Sequence, residues 1–188
     1  MLSGEHPDIL VGNLMGDFVK GRLTEGRFPT GILEGLALHR RIDSYAAGSD
    51  VFRLSKQRLD DSFGLYRGIL VDIFYDHFLA REWESYTKVP LDYFLTTAYN
   101  ILLEYRPFLP ERLQRILPSM FNDWLPSYRE VGGIDRALQR MGARIVRPNP
   151  LYRGVEALKS NYDGLNRDFC RFFPELIADL ALHKLHTS

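Results

Sequence analysis

The 188-residue chain balances 24 Lys+Arg against 24 Asp+Glu, with 45% hydrophobic and 26% charged residues. That composition excludes a disordered or fibrous chain, and the zero formal net charge excludes overall steering toward nucleic acid or an anionic membrane, leaving any charged partner to a local patch. The lone Cys170 rules out an internal disulfide and a cysteine-rich metal framework; it reads as a small buried apolar residue.

The apolar residues recur at three- and four-residue spacing, which predicts helices throughout. The expected elements are Asp8–Lys20, Thr30–Ala46, Asp50–Asp60, Leu65–Glu84, Leu91–Tyr105, Glu111–Val131 with a break near Pro118 or Pro126, Ile134–Ala143, and Arg153 to the end with a break at Pro174. Pro29, Pro90 and Pro110 stand just before amphipathic runs, where a missing N–H does no harm to a first helical turn. The loop Arg144–Pro150 is too short and too mixed to be a domain linker, so residues 1–188 are expected to form one all-α domain. No apolar run approaches the ~20 residues of a membrane span, and no basic stretch followed by an apolar one opens the chain; the expected compartment is the cytoplasm.

Three of these helices carry polar residues at positions expected to face inward. In Thr30–Ala46, His39 and Asp43 share a stripe with Ile32 and Leu36, while Glu34, Arg41 and Tyr45 fall opposite. In Leu65–Glu84, Asp72 and Asp76 fall on the stripe of Ile69, Ile73, Ala80 and Trp83, with His77 about 100° further round. The first helix adds Asn13 and Asp17, and its Gly12 and Gly16 clear a strip for a close neighbour. Two carboxylates buried together raise each other's pKa unless a cation or proton neutralises them, so a metal ion or acid/base chemistry is the natural resolution. His39 alone could instead be a satisfied core histidine oriented by Asp43. A His-and-carboxylate inventory without thiolate favours Mn²⁺, Mg²⁺ or Fe²⁺ over Zn²⁺. No nucleophile elbow, Walker loop, dinucleotide fingerprint or His-Glu-x-x-His helix is present.

Gly12-Asn13-Leu14-Met15-Gly16-Asp17-Phe18-Val19-Lys20-Gly21, His39-Arg40-Arg41-Ile42-Asp43 and Asp72-Ile73-Phe74-Tyr75-Asp76-His77-Phe78-Leu79, in that order, resemble the bacterial acyl carrier protein phosphodiesterase family. Trp124–Arg129 and the stretch from Gly133 through Met141 to Arg144 extend the resemblance over nearly the whole chain. It implies a helical bundle distantly similar to HD-type phosphohydrolases, and a divalent ion, usually manganese. The implied reaction is hydrolysis of holo-acyl carrier protein to apo-protein and 4′-phosphopantetheine. On the matching positions it implies Asp17, His39, Asp43 and Asp76 as metal-site residues, with Asp72, His77 and Arg40 as catalytic assistants. The family usually begins with a further segment bearing a motif like Asn-x-Leu-Ala-His; this chain starts after that point, so either its start is assigned late or one histidine ligand is missing.

The expected chemistry is attack of a metal-activated water on phosphorus, with Arg40 stabilising the developing charge and a protonated His77 or Asp72 assisting the departing serine oxygen. The carrier protein is acidic, so a basic docking patch is expected: Arg136, Arg140 and Arg144, spaced by four, could supply it or form an ordinary solvated face. A phosphohydrolase for small phosphodiesters or nucleotides, and a helical carrier-protein binder without catalysis, are the competing readings.

Overall fold

A computed structural model describes residues 2–3, 6–24 and 26–187. Its elements are helical, with no strand among the described residues. In chain order they are α1 (Pro7–Leu14), α2 (Thr30–Gly48), α3 (Asp50–Gln57), α4 (Tyr66–Arg81), α5 (Leu91–Glu104), α6 (Glu111–Ser119), α7 (Leu125–Ser127), α8 (Val131–Ala143), α9 (Gly154–Ser160) and α10 (Tyr162–Thr187). No helix among the described residues is long and apolar enough to cross a membrane. The chain divides into two compact units, Met1–Ala46 with Thr87–Leu125, and Ala47–Tyr86 with Pro126–Ser188.

In the first unit α1 and α2 run parallel in close contact. Their pairing rises in step: a Cβ added to Gly31 would meet Asp8, one on Gly12 would lie 2.1 Å from the Ile32 carbonyl oxygen and 2.8 Å from the Gly35 Cα, and one on Gly16 would fall 2.1 Å from the His39 ring. Glycine at 12 and 35 is therefore what allows the approach, at a cost in helix propensity. The expected Asp8–Lys20 helix ends early for the same reason. Met15 caps α1 with ψ near 1°, and a 3-10 turn, Gly16–Phe18, carries the chain over the His39 ring. Val11, Met15, Ile32 and Leu36 fill the core of this unit with Leu95, Ala98 and Leu102 of α5 and Leu113 and Leu117 of α6.

The second unit is built on α4, which buries Leu70, Val71, Phe74, Tyr75 and Phe78 and packs on α3, α8 and α10. The Tyr75 ring lies 5.0 Å from Phe172 and 5.5 Å from Phe169, so an aromatic cluster joins α4 to α10. Beside it sits a buried polar knot. Arg58 donates Nε–H and Nη2–H to the two Asp168 oxygens at 2.6 and 3.0 Å, Ser55 donates to Asp168 at 2.8 Å, and Tyr75 donates to Ser55 at 2.8 Å. Every member is bonded, the condition under which a buried polar network is tolerable. Burial pushes the Tyr75 phenol far above its ordinary range, so it stays neutral and a donor.

Pro29, Pro90 and Pro110 stand just before α2, α5 and α6 as expected, whereas Pro174 departs from the sequence expectation. Pro174 lies inside α10 without breaking it, and the break falls at Asn161, which ends α9 and donates its side-chain amide to the Ala157 carbonyl. Between Pro118 and Pro126 the chain forms a π turn, Met120–Trp124, whose wider spacing absorbs the missing donors. Cys170, expected to be buried, is exposed.

Candidate functional site

The parallel packing of α1 on α2 brings Asp17 to His39, and the i, i+4 spacing within α2 brings Asp43 to the same ring. His39 Nε2 lies 3.6 Å from Asp17 Oδ1 and 3.5 Å from Asp43 Oδ2. The imidazole is 20% exposed, whereas the Asp17 and Asp43 carboxylates are 78% and 67% exposed. This corrects the inward placement read from the sequence: the buried residues of α2 are Ile32, Gly35 and Leu36, so the stripe emerges into solvent by His39. The Asp17 carboxylate holds the His39 pKa above the ordinary imidazole range against the opposing effect of partial burial, and Asp43 and the Asn13 carbonyl reinforce it. Reciprocally, His39 holds Asp17 below the usual carboxylate range, with Lys20 adding to the effect. At 3.5 to 3.6 Å these contacts are longer than strong hydrogen bonds, and they become ion pairs when the ring is protonated.

Arg40, next to His39 on α2, donates Nη2–H to the Gly21 carbonyl at 2.5 Å. Gly21 has φ +85°, a left-handed conformation that glycine adopts without strain, so Arg40 clasps a turn that the residue type permits. The Arg112 guanidinium of α6 lies 5.9 Å from the ring centroid of Phe18, the residue that follows Asp17 in the chain. The sequence reading missed Arg112, because nothing in local spacing pairs residue 112 with residue 18. A cavity of about 230 Å³, lined by His6, Asp8, Gly31 and Glu34 among others, lies at the opposite end of the α1–α2 pair.

In the second unit α4 is rotated relative to the sequence expectation. Asp72 and Asp76 are exposed, as is Ile69 at 37%, while Leu70, Phe74, Phe78 and His77 face the core. Each large apolar side chain buried contributes roughly 1.5–3 kcal/mol relative to exposure, so turning the two aspartates inward would forfeit the larger apolar face. His77 is 0% exposed. Its Nδ1–H donates to the Tyr128 carbonyl at 2.7 Å and its Nε2 accepts from the Tyr162 hydroxyl at 2.9 Å, the tautomer that satisfies both partners. Burial holds its pKa below the ordinary value. His77, expected as a catalytic assistant, thus has both ring nitrogens bonded within the second unit.

Tyr128 was legible in the sequence only as part of Trp124–Arg129. Its phenol is pushed up to about 12, first by burial and then by the Asp76 charge, while Arg140 opposes the shift. Arg136 on α8 and Arg144 just past its end are exposed and Arg140 is half-buried, so the expected three-arginine row is not a uniform surface face.

Among the described residues no group of three or more His, Cys, Asp or Glu side chains is already set at ligand spacing for a metal ion. The residue types around His39, two carboxylates and an imidazole, are donors that hard or borderline divalent ions take.

The sequence profile of the acyl carrier protein phosphodiesterase family matches residues 1–176. A protein of that name from Klebsiella pneumoniae is 31% identical over 170 residues, covering 89% of this chain and 88% of the relative. One from Yersinia pestis is 30% identical over 177 residues, covering 93% and 91%. No solved structure matches. With the His39 cluster, the α4 motif and these likenesses over nearly its full length, the chain belongs to the acyl carrier protein phosphodiesterase family, a family of phosphoric diester hydrolases.

Proposed function

We propose that this chain hydrolyses the phosphodiester joining 4′-phosphopantetheine to a serine of holo-acyl carrier protein, and that it does so with a divalent cation, Mn²⁺ first and Mg²⁺ or Fe²⁺ next. The observation that carries this reading is the convergence of Asp17 and Asp43 on His39 in a member of a phosphodiesterase family. When bound, such an ion would offset charge on the phosphoryl oxygens and make water more acidic.

The chain's own residues supply the rest. The His39 proton, held between two carboxylates, has to leave before the nitrogen can serve as a ligand, so cation affinity should rise with pH through the raised His39 range. Arg40 fixes the Gly21 turn and keeps its other N–H groups for a substrate anion. The α4 motif implies a metal-binding role for Asp76 and a proton-transfer role for Asp72, and both side chains are exposed. Arg136 on α8 and Arg144 just past its end offer exposed positive charge to an acidic carrier protein, with Arg140 set further in.

The test is incubation of the purified chain with holo-acyl carrier protein and Mn²⁺, following the intact mass of the carrier with and without chelator. Chelator-sensitive loss of the phosphopantetheine mass is expected, and Asp43→Ala should slow it by at least about 100-fold while circular dichroism stays unchanged. Persistence of the holo mass in the wild type would overturn the reading. Reversing Arg136 and Arg144 to Glu should raise KM for the carrier protein and leave a small phosphodiester unaffected.

A further inference from the structure

We infer that Arg112, seated on the ring of Phe18, the residue after Asp17, is a substrate-binding residue that grips the non-bridging oxygens of the scissile phosphodiester. The inference rests on the phosphodiesterase reading above and deepens it by naming the group that recognises the anion.

Four observations carry it. Arg112 is exposed, and its guanidinium carbon lies 5.9 Å from the Phe18 centroid, within cation–π range. An aromatic face holds a guanidinium by its plane and leaves the five N–H donors at its edge for a planar anion. Phe18 is the residue after Asp17 in the Gly16–Phe18 turn, with neighbouring Cα atoms ~3.8 Å apart, so the ring that seats Arg112 is tied to the His39 cluster by covalent geometry. Finally, no carboxylate among the described residues pairs with Arg112, unlike Arg53, Arg58, Arg67 and Arg171, each of which has an acidic partner within 3.0 Å.

The position of Arg112 also runs against local preference. It occupies the first turn of α6, where the helix dipole disfavours a cation. A residue that breaks a local rule without an acidic partner among the described residues is where a functional site is expected. Arg40 offers a contrast: it donates one N–H to the Gly21 carbonyl at 2.5 Å and keeps the others, whereas Arg112 has its whole fork at hand for a phosphate-type oxygen pair.

The experiment compares wild type, Arg112→Ala, Arg112→Lys and the same-helix control Arg115→Ala in two assays. One is titration of the metal-free protein with inorganic phosphate by calorimetry; the other is kcat and KM on holo-acyl carrier protein. Arg112→Ala should weaken phosphate binding and lower kcat/KM by about 10- to 100-fold each, the usual size for a hydrogen-bonded charge. Arg112→Lys should fall between, since a point charge lacks the bidentate fork, and Arg115→Ala should match wild type. Phe18→Leu, with Arg112 intact, should reproduce part of the loss. Phosphate affinity unchanged in Arg112→Ala, or no saturable phosphate binding by the wild type, would overturn the inference even if hydrolysis proceeds. Weakened phosphate binding in a wild-type background that releases no phosphopantetheine would keep the anion site and overturn the carrier-protein reading instead.

Discussion

His39 in the first unit and His77 in the second carry the same ring into opposite surroundings. His39 is partly exposed and faces two solvent-accessible carboxylates at 3.5 and 3.6 Å, so a proton, a cation or an anion beside it can compete for that nitrogen. His77 is sealed, with its two ring nitrogens bonded at 2.7 Å to the Tyr128 carbonyl and 2.9 Å to the Tyr162 hydroxyl. The Arg58, Ser55, Tyr75 and Asp168 knot belongs with His77 in this respect. A polar group left half in water costs little stability and stays reactive; one buried with its full complement of partners holds the fold and is withdrawn from chemistry.

Removing a member of the buried set should give the largest effects. Asp168→Ala leaves Arg58 and Ser55 facing a hole and should cost about 3 kcal/mol, read as a lower urea midpoint at unchanged slope. A cost below ~1 kcal/mol would break the comparison, since the knot would then behave as a surface pair. Next in size, His77→Ala strands the Tyr128 carbonyl and the Tyr162 hydroxyl and should cost about 2–3 kcal/mol.

The pH response sharpens the contrast, because the two histidines pull in opposite directions. His77 has its folded pKa depressed, so its stabilisation is present above ~6.5 and lost as pH falls toward the folded value. His39 has its folded pKa raised, so its stabilisation is present below ~6.5 and lost as pH rises through the folded value. Thermal midpoints across pH 5 to 9 should therefore lose their acid limb in His77→Gln and their alkaline limb in His39→Gln. The smallest stability effect is expected from His39→Ala at neutral pH, under about 1 kcal/mol, yet the same change should lower turnover at least ~100-fold. A His39 variant that unfolds, or that turns over normally, would end the distinction between the two rings.

Much of the first unit's site is legible without coordinates. His39 and Asp43 meet because any helix places i and i+4 on one side, and Gly12 announces a close approach before its partner Gly35 is seen. Asp17 is different: it reaches His39 only because α1 ends at Leu14 and a 3-10 turn follows, a boundary forced by the ring that Gly16 has to clear.

Helical class followed from the sequence because the three- and four-residue apolar spacing is a property of each segment alone, as the agreement over α2 illustrates. The rotation of α4 did not. Ile69 and Ala80 mark one apolar stripe and Leu70, Phe74 and Phe78 another, with Ile73 buried between them, so a single helix supports either orientation, and only packing against α3, α8 and α10 selects the second. That choice turned Asp72 and Asp76 to solvent and His77 to the core. Likewise, the pairing of Arg112 with Phe18 joins residues far apart in sequence, and such a contact exists only once the helices that carry them are packed. Local periodicity is written in the chain; which face is buried is a contest of areas that the neighbouring elements decide.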